Sequence, residues 1–317
     1  MRGLDNKLAR DIVSTYRMMF YMPNRDETGK LGTADLAPFL FDITASMAIF
    51  VLAVLGLGVI ASMMGIFNFA HGEFLLLGAY TVYLAQDHGV PTWLGMLAAP
   101  FVVAIIALAL ERTIIRRFYA APVAAMISTF AIGLVLRESV RLLLGGQFYS
   151  VEAPLNGAFF IGDVALSKWR VVIILATIAV VTASYLALAR TRLGLYVRAS
   201  LENPALARAS AIPTRRIYAA TFAFGAALAG LAGGLMVPIY SLNADIGVPF
   251  LIKSFLAVMV GGVGSFGGSV LGASFVGAGT AGLPWAIKPV VADVLLFLVA
   301  ILFVKYRPTG LLSLWRK

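Results

Sequence analysis

Nine apolar runs dominate this sequence, and each is at or near the length of a bilayer-crossing helix. They fall at about 43–64, 72–86, 93–111, 123–144, 171–189, 217–238, 249–266, 268–284 and 287–304. The hydrocarbon core of a bilayer takes about 20 residues of helix. A membrane barrel needs stretches of about ten residues with alternating polarity, and these runs are continuous instead. Only helices satisfy their own backbone in lipid without closing a barrel. Composition agrees: 61% of residues are hydrophobic and 13% charged, where a soluble domain carries about 25% charged. The sequence therefore predicts an all-α, polytopic helical membrane protein with about eight or nine transmembrane helices. A soluble enzyme, a disordered chain and a secreted disulfide scaffold are excluded. The second, seventh and eighth runs are short and glycine-interrupted, so broken or re-entrant segments are expected there.

Three units follow. Residues 1–42 are a polar extension with six basic and six acidic residues. Leu4, Leu8, Ile12, Tyr16 and Met19 recur at near-helical spacing, which suits an amphipathic helix over 4–21 lying on membrane lipid; a frayed tail is the alternative. No cleavable signal is expected. Residues 43–305 form the membrane domain, and 306–317 a basic tail. The net charge is +10. In a soluble protein that would suggest nucleic acid; here the surplus suits cytoplasmic loops, and no nucleic-acid partner is expected.

The basic residues cluster three times: Arg112, Arg116 and Arg117; Arg190 to Arg216; and Lys305, Arg307, Arg316 and Lys317. All three are cytoplasmic at once if the runs alternate, which places residues 1–42 outside. A second solution makes 64–72 re-entrant and puts the N-terminus inside. The first is preferred.

Three segments stand out. In NFAHGEFLLLGAY (68–80), Asn68, His71 and Glu73 interrupt a very apolar stretch. Polar groups at membrane depth are costly and are functional candidates; a hydrogen-bonded helix end at the interface is the plainer alternative. His71 and Glu73, two apart, point to different helix faces, and no HExxH zinc site is formed. In GGVGSFGGSVLGA (261–273), Gly262, Gly264 and Gly267 match G-x-G-x-x-G literally. A dinucleotide site needs a soluble βαβ unit around that motif, and none is present. Gly264, Gly268 and Gly272, four apart, instead suit close helix approach; a glycine hinge between half-helices near the midplane also fits, with Gly261, Gly262, Gly264 and Gly267 as candidates for a path. In the loop 190–216, Asn203 is a good N-cap and Pro204 suits the first helical position, so a short helix edged by arginines is expected. It serves either to dock another protein or only to fix topology. Elsewhere, Arg137, Glu138 and Arg141 cluster near the outer end of the fourth run, where Glu138 and Arg141 are placed to pair, and Lys288 is the expected neighbour of Asp293.

Absences narrow the chemistry. The sequence has no cysteine, which excludes thiol chemistry, Fe–S clusters and disulfides. No lysine closes a G-x-x-x-x-G-K-[ST] loop, so no ATP binds by a P-loop. No catalytic constellation is present, and no enzyme activity, metal or cofactor is expected.

Four stretches together resemble a known family. They are GIFNFAHGEFLLLGAY (65–80), GLYVRASLENPALARASAIPTRRI (194–217), AVMVGGVGSFGGSVLGA (257–273) and RPTGLL (307–312). The chain is similar over about 43–312 to inner-membrane permease subunits of branched-chain amino-acid ABC importers, including their urea and short-amide relatives. The resemblance implies a second related permease, two cytoplasmic ATP-binding subunits and a periplasmic solute-binding protein as partners. It places the loop around Arg198, Glu202, Asn203, Pro204, Ala207 and Arg208 against the ATPase. It implies a multi-pass protein of the bacterial inner membrane, moving branched-chain amino acids by alternating access, with urea or a short amide as the alternative; a stand-alone secondary transporter, which would need paired intramembrane carboxylates, is the less favoured reading. Asn68, His71, Glu73 and 261–268 are then expected to line the path. The polar 1–42 extension departs from the family pattern.

Overall fold

The computed structural model describes residues 36–65, 67–119, 121–161, 164–307 and 310–311. The amphipathic helix expected at 4–21 and the end of the basic tail lie outside these residues.

All nine apolar runs are helices. Helix α1 spans Leu36–Met64, α2 His71–Asp87, α3 Thr92–Thr113, α4 Pro122–Leu144, α5 Lys168–Arg190, α8 Thr214–Met236, α9 Gly247–Gly261, α10 Phe266–Gly282 and α11 Pro289–Tyr306. Two shorter helices, α6 (Arg192–Glu202) and α7 (Pro204–Ala209), link α5 to α8. Among the described residues, seven helices are long and apolar enough to cross a membrane. The other two, α2 and α9, have 17 and 15 residues. One departure from the all-α expectation is a small antiparallel hairpin, β1 (Ala158–Ile161) with β2 (Val164–Ser167), in the α4–α5 connection.

Helices α1 and α8 form the centre. Of their apolar stretches 78% is buried, against 17–33% in the other five long spans. The core runs from Ile49 to Ala61 on α1 and includes Phe222, Ala226 and Ala229 on α8. Around this pair, α3, α5 and α11 turn large apolar side chains outward, among them Phe101, Ile105, Leu175 and Val290. In a soluble protein such faces would be a liability; in a bilayer they are the surface that lipid solvates.

The two ends of the bundle differ in chemistry. At one end the Tyr119 ring lies 5.2 Å from Tyr218, and the Tyr218 hydroxyl donates to the Ser200 carbonyl at 2.8 Å. Gly310 packs on Gly262 there. These contacts gather Arg112–Arg117, Arg190–Arg216 and, of the third cluster, Lys305 and Arg307 at a single basic end. At the opposite end Asp42 of α1 pairs with Arg170 of α5, Gln86 accepts from the Glu152 amide at 2.9 Å, and Tyr149 bridges Leu242. Helix α1 thus starts opposite the basic end, as the preferred topology requires. It begins at Leu36, earlier than the apolar run at 43.

At the basic end α1 stops on Gly65, whose φ of +65° is the left-handed conformation glycine favours at a helix C-terminus. The chain then doubles back into the bundle before α2 begins. The structure therefore combines one element of each topology: α1 starts opposite the basic end, and the segment after it is re-entrant.

Candidate functional site

The re-entrant segment delivers its polar residues to half depth. The Asn68 side-chain oxygen accepts from the Ala70 amide at 3.0 Å, closing a turn that starts α2. The Phe69 amide donates to the Thr129 hydroxyl of α4 at 3.1 Å. The Phe69 ring stacks on Phe255 of α9 at 4.7 Å, and Phe67 lies 5.3 Å from the same ring. Backbone that would be orphaned in lipid is thus held by side chains and walled off by aromatics.

Asn68, His71 and Glu73 are essentially fully buried. His71 Nε2 lies 2.7 Å from the Ala53 carbonyl oxygen. A carbonyl only accepts, so Nε2 carries a proton and donates it to Ala53. Ala53 is about three turns, roughly 16 Å, from the basic end of α1. Glu73 points to the other side, as the two-residue spacing requires. Its Oε1 accepts from Arg137 Nε at 3.1 Å and from Arg137 Nη2. Gly133, at the midpoint of α4, leaves the space the carboxylate fills; a Cβ there would lie 3.0 Å from Glu73 Oε2. Asn68 Nδ2, His71 Nδ1 and Glu73 Oε2 have no hydrogen-bond partner among the described residues. These residues do form a hydrogen-bonded helix start, as the plainer alternative has it, but that start lies mid-bundle and keeps unspent hydrogen-bonding capacity.

Sequence reasoning missed Arg137, which it grouped with Glu138 and Arg141 near the outer end. Arg141 does pair with Glu138, at 2.8 Å, and also with Asp245 at 2.7 Å. Arg137, one turn earlier, turns inward instead. The signal was charge balance: one uncompensated arginine and one glutamate, each inside an apolar run, have strong reason to meet. The expected Lys288–Asp293 neighbour pair is corrected as well. Asp293 pairs with Lys253 of α9 at 2.9 Å, because α9 packs beside α11.

The glycine segment is placed differently from the hinge expected near the midplane. Gly261, Gly262, Gly264 and Gly267 form the α9–α10 turn at the basic end, apart from the Asn68–Glu73 cluster. Ser265 caps α10 by accepting from the Gly268 amide at 2.8 Å. Gly261 meets Gly268 backbone to backbone, and Gly310 lies on Gly262 with no room for a Cβ between them. Gly261, Gly268 and Gly272 serve close approach, Gly268 and Gly272 being the four-apart pair, whereas a Cβ on Gly264 would meet nothing within 4 Å, and that residue holds a left-handed φ of +90° in the turn. The break at half depth is at Asn68–Ala70, where α2 begins.

The 190–216 loop holds the expected short helix and one more. Asn203 Oδ1 accepts from the Ala205 and Leu206 amides at 3.1 and 3.0 Å, with Pro204 first in α7. The additional helix α6 is started by Thr191, which accepts from the Gly194 amide at 3.3 Å. Ala207 is buried, whereas Glu202, Asn203 and Arg208 are exposed. Arg198 reaches back to the Leu188 carbonyl at 2.5 Å and ties α6 to the end of α5. Leu206 is 64% exposed at the tip, so an apolar knob stands among arginines.

Below this loop lies a second buried carboxylate. Glu111 accepts from the Tyr119 hydroxyl at 2.6 Å and lies 3.5 Å from Arg116. Burial first, then the bond to Glu111, raises the Tyr119 hydroxyl pKa above the ordinary phenol value. The ring contact from Tyr119 to Tyr218 continues to the Ser200 carbonyl of α6. The α3–α4 connection is thereby tied to the exposed helices.

Residues 39–304 match the family model for the branched-chain amino acid transport system permease component. The permease protein LivH of Salmonella typhimurium, of a high-affinity branched-chain amino acid transport system, is 29% identical over 281 residues, 83% of this chain and 91% of that protein. BraD of Pseudomonas aeruginosa, named for the same kind of system, is 29% identical over the same shares. A probable LivH of Methanocaldococcus jannaschii is 30% identical over 72% of this chain and 74% of its own length. One solved structure, PsaBC from Streptococcus pneumoniae in complex with Fab, aligns over 83% of this chain with 16% identity and a TM-score of 0.44, too distant to bear on function. The matched relatives are transport permease subunits, and this polytopic helical membrane protein belongs to the branched-chain amino acid transport permease family.

Proposed function

We propose that this chain is the permease subunit of an ATP-driven importer of branched-chain amino acids in the bacterial inner membrane. The observation that carries the reading is the re-entrant segment 65–73, which holds Asn68, His71 and Glu73 at half depth inside an otherwise apolar bundle. A chain that only anchored a complex would have no reason to bear the cost of burying them. The basic end faces the cytoplasm by the positive-inside rule. There Asn203, Pro204, Ala207 and Arg208, with Arg198 and Glu202, form the surface that receives an ATP-binding subunit. A second related permease completes the path, and a periplasmic binding protein delivers the solute. The family membership and the lack of a P-loop both support this division of labour.

The mechanism is alternating access. Closure of the ATP-binding subunits moves α6 and α7. Arg198 passes that motion to α5, and Tyr218 and Tyr119 pass it to the α3–α4 connection. The half-depth cluster then changes the side to which it opens. The test is uptake of radiolabelled leucine and urea by cells with and without the gene, complemented with Glu73→Gln. Loss of leucine uptake alone, with poor rescue by an assembled Glu73→Gln complex, is the expected result. Loss of urea uptake alone would reassign the substrate, and full rescue by Glu73→Gln would remove the charge of Glu73 from the mechanism.

A further inference from the structure

Arginine inside a lipid-facing run is expensive, and its usual escape is to stretch to the nearest interface. Arg137 does the opposite. It sits about two turns, roughly 10 Å, below the outer end of α4. Its side chain reaches one turn deeper, to the carboxylate of Glu73 beside Gly133. The interface was available: Arg141, one turn above, uses it and binds Glu138 and Asp245. The two arginines of α4 therefore do different jobs.

The geometry of the pair is lopsided. Glu73 is 1% exposed, while the Arg137 side chain keeps 19% of its surface. Nε and Nη2 of Arg137 both go to Glu73 Oε1. Nη1 has no partner among the described residues, and it is the edge of the guanidinium that the carboxylate does not cover. The buried acid thus fixes the plane of the guanidinium and leaves one donor edge uncommitted on a side chain that keeps part of its surface exposed. Lipid tails cannot accept from it, so that edge has to face water or an anion.

The flanking surface is apolar. Leu134 and Phe130 lie three and seven residues before Arg137, on the same side of α4, and are 41% and 52% exposed. Phe130 in turn packs edge-on to Phe69 of the re-entrant segment, with ring centroids 6.4 Å apart. A cationic donor edge beside an aliphatic and aromatic strip is complementary to one kind of solute: an α-amino acid with a branched apolar side chain. A neutral amide would leave the guanidinium without an anion.

We infer that Arg137 is the residue of this permease that meets the carboxylate of the transported amino acid, with Leu134 and Phe130 beside its side chain, and that Glu73 is a positioning residue that never touches the solute. This inference rests on the reading of the chain as an amino-acid permease. It changes which member of the pair does the recognition.

The experiment uses the whole transporter complex in nanodiscs, without the binding protein, so that only the membrane site is read. Binding of tritiated L-leucine is measured with competition by L-leucinol, which keeps the side chain and amine but lacks the carboxylate. Saturable leucine binding that leucinol fails to displace is expected from the wild type. Arg137→Gln should weaken it at least tenfold, and Arg137→Lys less. Arg137→Gln alone leaves Glu73 buried and unpaired and can fail to assemble, so the double variant Glu73→Gln/Arg137→Gln serves as the folded control: it should assemble and still not bind. Glu73→Gln alone, which keeps the cation but loosens it, should bind several-fold more weakly and remain insensitive to leucinol. Wild-type binding in the double variant, equal competition by leucinol, or no saturable binding in a complex that transports leucine would each overturn the inference and leave the proposed function standing. A wild-type complex that fails to transport leucine would overturn both.

Discussion

Gly72→Ala tests whether close backbone approach, and not flexibility, explains the glycines around the site. Gly72 is the second residue of α2, and it faces the first turn of α9. A Cβ added there would lie 2.6 Å from the Gly247 carbonyl oxygen, 3.0 Å from the carbonyl carbon and 3.1 Å from the Leu251 Cβ. Carbon–oxygen contacts settle near 3.3 Å, so the two helix starts must separate by about 0.7 Å. Overpacking of this kind costs about 1–3 kcal/mol. The neighbouring His71 is anchored to Ala53 at 2.7 Å, and stretching that buried bond adds about 1 kcal/mol. Ala in place of Gly recovers less than about 1 kcal/mol of helix propensity. The net loss is therefore about 1–3 kcal/mol. Gly282→Ala is the matched control: its Cβ would meet the Ile43 side chain at ordinary distances, 3.4 Å from Cδ1 and 3.8 Å from Cγ1, so it should be neutral or slightly stabilising. The assay is the temperature at which half of the detergent-purified protein survives size-exclusion chromatography after heating. Gly72→Ala should lower it by about 2–8 °C, taking a few degrees per kcal/mol, and Gly282→Ala should not. Equal losses in the two variants, or none at Gly72, would refute the argument from approach distance.

Three further outcomes follow from the same geometry. Asn203→Ala removes the acceptor for two amides at the start of a six-residue helix, a loss of about 1 kcal/mol; amide exchange over Ala205–Ala209 should quicken about fivefold, and unchanged exchange would show that α7 does not depend on its cap. Tyr119→Phe strips Glu111 of its 2.6 Å partner and should destabilise the protein by about 1–3 kcal/mol in chemical denaturation. Because the Tyr119 pKa is raised on folding, its contribution is complete below the unfolded phenol value near 10 and declines as the pH rises above it; a wild type whose alkaline loss matches that of Tyr119→Phe would count against this.

What the sequence conveys and what it withholds divide along the range of the interaction. Apolar length is local, so every run at 43–304 becomes a helix, and the Asn203–Pro204 start of α7 is a local pattern too. Thr191 carried the same kind of signal for α6, though the threonine cap was overlooked beside the arginines. The depth of Asn68 was only half legible. The cost of burying it marks 65–73 as special, but its position follows from where α1 ends and from Phe255 of α9, far along the chain. Charge partners are the least legible. Lys288 lies five residues from Asp293, yet a five-residue step on a helix turns to another face, and Lys253 on a neighbouring helix takes the place. Arg137 and Glu73 show the remedy. Arg137 is left over once Arg141 takes Glu138, Glu73 is a lone carboxylate in an apolar run, and the bilayer leaves such charges few places to go besides each other. Counting those orphans before assigning partners would have found the pair from sequence alone, although not the lopsided burial that makes the arginine, and not the glutamate, the group a solute can reach.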